Sequence, residues 1–152
     1  MKIIKLFIII LLASCQHKSN ITYFENLNHE QVRIPIIQKK INNIPVLFIL
    51  DSGANMSLLD STWYYNNSHL FFYDDEVAMT LTGVSGVVYT NSKIVYTVID
   101  NDYVVFTTSN LTPVIKNLTD QGFNVVGILG SDYLKDNYLI IDYNKQAVYS
   151  AL

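Results

Sequence analysis

Cysteine occurs once in the 152 residues, at position 15, so no internal disulfide can form. The 3 histidines, His17, His29 and His69, are scattered without ligand spacing, which argues against a zinc site. With only 3 prolines and 6 glycines there is no low-complexity segment, and no internal repeat is visible. Basic residues are few: 10 Lys and Arg stand against 13 Asp and Glu, a formal charge of -3 with no basic cluster. That balance speaks against nucleic acid or anionic lipid as the partner. A Gly-rich phosphate loop and a Ser-His-Asp arrangement are also missing. The longest apolar run, near the start, is about 10 residues, too short to cross a ~30 Å hydrocarbon core as a helix.

That run has a different meaning. Lys2 and Lys5 precede the uninterrupted apolar stretch Leu6 to Leu12, and Leu12-Ala13-Ser14-Cys15 closes it with small residues. The layout is that of a secretory signal. The closing tetrad resembles a bacterial lipobox, in which the cysteine thiol is acylated and becomes the new N-terminus; the alternative is a plain signal with an incidental cysteine. The expectation is a lipoprotein signal peptide over 1–14, a lipidated Cys15 with a polar tether over 15–20, and one domain over 21–152. It would sit lipid-anchored in a bacterial cell envelope, on the periplasmic or outer-surface side. Loss of 1–14 removes two lysines and no acid, leaving a charge of -5 on 138 residues, enough for one core.

From Ile21 onward the texture is that of strands. Arg33 to Gln38 and Pro45 to Leu50 are apolar or β-branched runs, and Asn42-Asn43 between them suits a two-residue hairpin turn, because Asn tolerates positive φ. Val46 to Leu50 is apolar at every position, which predicts burial on both faces. Further strands are predicted over Val77 to Thr82, Val87 to Val98, Tyr103 to Thr108, Val125 to Leu129 and Tyr138 to Asp142, with a closing one to Tyr149. Thr112-Pro113 reads as an N-cap and first helical residue, with Gly122 ending that helix. A second short helix is expected over Ser131 to Lys135. The class is mainly β, a closed or near-closed sheet with two short helices.

Asp51 ends the wholly apolar strand and is followed by Ser52-Gly53-Ala54. A carboxylate there is costly unless its oxygens are hydrogen-bonded or it shares a proton. Gly53 offers an uncrowded amide, and Ser52 a hydroxyl. By itself Asp-Ser-Gly also makes ordinary turns. The second element is Val125-Val126-Gly127-Ile128-Leu129-Gly130, followed by Ser131-Asp132-Tyr133-Leu134. Together with Leu50-Asp51-Ser52-Gly53-Ala54, it resembles the two signatures of the retropepsin-like aspartic proteases. The resemblance runs from about Arg33 to Tyr149.

It implies an acid-protease barrel in which Ile128-Leu129-Gly130 passes behind the catalytic loop, with no metal or organic cofactor. It also implies a hairpin flap, and Gly83-Val84-Ser85-Gly86 lies where that flap belongs, the glycines allowing positive φ and close approach to substrate. Val84 and Ile128 are candidate pocket walls. Peptide hydrolysis in the family needs two carboxylates sharing one proton, with a bell-shaped rate profile on the acidic side of neutral. This chain has one Asp-Ser-Gly, since Asp60-Ser61-Thr62 lacks the glycine, so the second Asp51 must come from another copy in a C2 homodimer.

Two positions depart from the family pattern. Asn55 and Ser131 stand where viral members carry an acid and an arginine, so that ion pair is absent as a unit. The substrate class is peptide or protein. A non-catalytic binding or assembly lipoprotein with the same fold stays open, because a monomer presents half a site.

Overall fold

The computed structural model describes residues 21–24, 34–83 and 86–151. The signal segment, Cys15, the tether and the candidate residues Val84 and Ser85 lie outside the described residues, as do His17 and His29. No helix among those described is long and apolar enough to cross a membrane.

β2 (Ile36–Ile41) and β3 (Ile44–Leu50) form the first hairpin. Asn42 and Asn43 take φ of 48° and 69°, the left-handed pair that a primed two-residue turn demands. β3 ends in three consecutive buried residues, Phe48, Ile49 and Leu50. It can do so because β8 (Val125–Leu129), itself buried throughout, pairs with it in parallel. β8 is in turn flanked by β4 (Leu58–Asp60), which runs antiparallel to it. β4 pairs in parallel with β7 (Asp102–Ser109), β7 with β6 (Gly86–Ile99), and β6 with β5 (Phe72–Gly83). Ile41 then bridges back to Ile99 and closes a ring of six strands, leaving β5 at the edge.

Closure rests on a single residue pair, so its reinforcement matters. Asp100, in a left-handed conformation at φ 56°, accepts from the Lys40 amide at 3.1 Å and from the Lys39 ammonium at 2.9 Å. Its own amide donates to the Lys40 carbonyl at 3.0 Å. One aspartate thereby ties the β6–β7 turn to β2.

The core has two parts. Phe48 and Phe106, both fully buried, stack at 5.7 Å in the larger one, which Tyr133 and Leu134 join from α3 (Ser131–Asp136). The smaller packs Ile115 and Leu118 of α2 (Thr112–Asp120) over Ile36, Ile49, Val125 and Ile128. A separate three-stranded sheet orders β1 (Ile21–Tyr23), β10 (Ala147–Ser150) and β9 (Leu139–Asp142).

The fold class is as expected: mainly β, with a ring of hydrogen-bonded strands in one domain. Details differ. A third α-helix, α1 (Ser61–Asn66), and a 3-10 turn at Ser68–Leu70 join the two expected helices. Asp60-Ser61-Thr62 is the start of α1: buried Asp60 accepts the Trp63 amide at 2.9 Å and, from its other oxygen, the Leu111 amide at 3.1 Å. Thr112 is the first helical residue of α2 rather than its cap, because the Asn110 side chain takes the Thr112 amide at 3.0 Å. β5 begins at Phe72, before the predicted Val77, since pairing with β6 extends it to Tyr96.

Candidate active site

The sheet order dictates the site. β3 and β4 lie on either side of β8, so the segment joining them, residues 51–57, must cross the end of β8. Asp51 is the first residue past the buried end of β3 and is exposed. Its amide donates to the Leu129 carbonyl at 3.0 Å, which continues the β3–β8 ladder to the loop itself. Its carboxylate leaves that ladder for solvent.

The Gly53 amide donates to Asp51 Oδ1 at 2.8 Å, and the Ala54 amide to the Asp51 carbonyl at 3.2 Å. A Cβ on Gly53 would stand 3.2 Å from Asp51 Oδ1, tighter than ordinary contact, so glycine gives the carboxylate room against the backbone. Among the described residues Gly53 is the one hydrogen-bond donor to that carboxylate. Ser52 is exposed beside it, and Ala54 is half-buried against the smaller core with Leu58.

The second motif forms the floor. Ile128 and Leu129 are buried, and Gly130 lies under the loop: a Cβ there would meet the Met56 carbonyl oxygen at 2.6 Å and the Ala54 carbonyl oxygen at 2.9 Å. A side chain on Gly127 would run into the backbone carbonyl of Leu58 in β4. Both glycines are therefore required by close backbone approach. The Ser131 amide donates to the Ala54 carbonyl at 2.7 Å. Ile128 packs into the smaller core beside Ala54 and Leu58, the one candidate pocket wall the described residues include.

Two polar side chains to which the sequence assigned no role hold the end of the loop. Ser57, 1% exposed, donates its amide to Asp132 Oδ2 and its hydroxyl to Asp132 Oδ1, each at 2.8 Å. The Gly130 amide donates to the same Ser57 hydroxyl oxygen at 3.1 Å. Nothing local pairs residues 75 apart; the only signal was an acid directly after the neutral Ser131. Tyr133, next along α3, is buried, which raises the pKa of its hydroxyl above the usual range against the opposing pull of Lys39.

Gly83 and Gly86 pair at the far end of the β5–β6 hairpin, where the glycine spacing placed a tip. Among the described residues no three His, Cys, Asp or Glu side chains group in a way that could hold a metal ion.

No protein-family model matches the chain, and neither does any curated protein. Solved structures do, among them the following three. The EIAV protease complexed with the inhibitor HBY-793 is similar over 72% of this chain and 93% of its own, at 23% identity and a TM-score of 0.47. The retroviral protease-like domain of Ddi1 from Leishmania major is similar over 80% and 95%, at 20% identity and 0.47. A retropepsin-like aspartic protease from Rickettsia conorii is similar over 86% and 87%, at 16% identity and 0.43. In fold, the chain is similar to the retropepsin-like aspartic proteases.

Proposed function

We propose that the chain is an aspartic endopeptidase whose site is completed by a second copy of itself. The observation that carries the reading is Asp51. An exposed carboxylate stands at the buried end of a core strand, in a loop held from beneath by the second motif. A lone carboxylate of this kind cannot both activate water and polarise a carbonyl. Two Asp51 side chains about 3 Å apart could not both ionise cheaply, and would share one proton; aspartic proteases are the standard illustration of that rule.

In the reaction, the ionised carboxylate takes a proton from a water molecule whose oxygen attacks the peptide carbonyl carbon. The protonated carboxyl hydrogen-bonds to the carbonyl oxygen. The tetrahedral intermediate collapses as the C–N bond breaks, and a proton passes to the leaving amine. Gly53 and Ser52 support the loop, and the hairpin tip at Gly83 to Gly86 covers the substrate. Ile21, Tyr23 and Ile140, exposed on the terminal sheet, offer apolar surface for association. An acylated Cys15 would hold the domain at a membrane and raise its local concentration, which favours the dimer.

The test pairs sedimentation of residues 16–152 over a wide concentration range with cleavage of a peptide library. Cleavage should track the dimer population, follow a bell-shaped pH profile on the acidic side, and fall at least about 10²-fold in Asp51→Asn. An active strict monomer, or cleavage untouched by Asp51→Asn, refutes the proposal. If the chain is a binding lipoprotein instead, Asp51→Asn changes nothing measurable and no peptide is cut.

A further inference from the structure

We infer that Asp132 is the positioning residue for Asp51, standing in for the ion pair that Asn55 and Ser131 cannot form. The inference rests on the endopeptidase reading for its kinetic consequence, but its structural content stands alone. The loop from 51 to 57 is tied to the second motif along its whole length. Asp51 is held at its start through Leu129, Ala54 in its middle through Ser131, and Ser57 at its end through Gly130 and Asp132. Of these ties only the Asp132 pair involves a charge. Across 52–57 and 128–134 no other residue carries one.

The chemistry explains why a carboxylate is suited to the place. Ser57 is almost fully buried, and both its donors need an acceptor; two carboxylate oxygens at 2.8 Å satisfy amide and hydroxyl together. Charge-assisted bonds of this length are about twice as strong as neutral ones. The hydroxyl oxygen is then oriented to receive the Gly130 amide, and Gly130 is where the loop backbone presses closest on the floor. Asp132 also accepts the Tyr133 amide within its own helix at 2.7 Å, but three of the contacts in this network run to the other segment or its partner Ser57, not along α3. A shift of the loop end would propagate over six residues to Asp51, and displacements of about 1 Å can cost about 10²-fold in rate.

Kinetics and amide exchange decide the matter together. Asp132→Ala should lower kcat about 10- to 100-fold with KM within about threefold, while Asp132→Asn, of the same shape but with one uncharged acceptor for the two Ser57 donors, recovers only part of that loss. Ser57→Ala, which leaves α3 untouched, should lower kcat similarly and add little in the double variant. Amide exchange at Asp51, Ser57 and Ser131 should speed at least about tenfold in Asp132→Ala, with the β9–β10 amides unchanged. If kcat holds in both alanine variants, or exchange rises evenly over the molecule, Asp132 is merely structural and the inference fails. Should wild type cleave nothing, the endopeptidase reading falls alone, and exchange at the loop amides still decides the positioning role. Should Asp132→Ala not fold, Ser57→Ala and Asp132→Asn carry the same measurements.

Discussion

Gly130→Ala is the substitution whose cost can be worked most directly from the structure. A methyl group there would lie 2.6 Å from the Met56 carbonyl oxygen, 2.7 Å from its carbon and 2.9 Å from the Ala54 oxygen. All three are backbone atoms, so no side chain can swing away. Ordinary contact begins at 3.4 Å, and the Met56 carbonyl must retreat by about 0.8 Å. The loop cannot move that far and keep both the Ser131–Ala54 bond at 2.7 Å and the Gly130–Ser57 bond at 3.1 Å. Overpacking of this kind costs about 1–3 kcal/mol, and a buried polar group losing its partner about 1–3 kcal/mol more. The expected loss is about 3 kcal/mol, or a fall of about 6–12 °C in Tm for a domain of this size. Urea unfolding followed by fluorescence reads it, because Trp63 is the only tryptophan and meets the edge of Phe71 at 5.8 Å. Gly122→Ala is the comparison: nothing lies within 4 Å of its Cβ, and only its φ of 89° is unfavourable, so it should cost about 1 kcal/mol. If Gly130→Ala costs no more than Gly122→Ala, the loop is not pressed on the floor and the packing argument is wrong.

Two further outcomes follow from single carboxylates. Asp60→Ala strips the cap from α1 and orphans the Leu111 amide, and should cost about 2–4 kcal/mol in urea unfolding; a loss under about 1 kcal/mol would show that water replaces both bonds. Asp142 has its pKa lowered, first by the Lys145 backbone amide at 3.0 Å and then by the Lys145 side chain. A depressed carboxylate stabilises the fold above its unfolded value of 3.8, and that contribution is lost as pH falls through the lowered folded value. Asp142→Asn should therefore unfold at lower urea than wild type at neutral pH, with the gap closing in acid; a gap that persists at about pH 2 would contradict the linkage.

What could be read from the chain alone was local. Asn42-Asn43 marked a turn because few residues accept positive φ, and both take it. Val125 to Leu129 was recognisable as a strand from its unbroken apolar run, and β8 has those bounds. The run into Asp51 implied a carboxylate at the end of a buried strand, which is where it lies. α1 was missed because a six-residue helix shows too little periodicity, although Asp60 three residues before Trp63 is an N-cap signal.

The tertiary structure decided everything that depends on distant segments meeting. The reason for Gly127 and Gly130 is the backbone of β4 and of the Asp51 loop passing over them, which no spacing within 125–130 reveals. Asp100 closes the ring on Lys39 and Lys40, some 60 residues away. Ser57 and Asp132, two ordinary polar residues in the sequence, become the clamp on the loop only because β8 is threaded between β3 and β4. Hydrophobic period and turn chemistry act over a few residues and are written in the chain. Which carbonyl crowds a glycine, and which carboxylate finds a buried hydroxyl, is set by strand order.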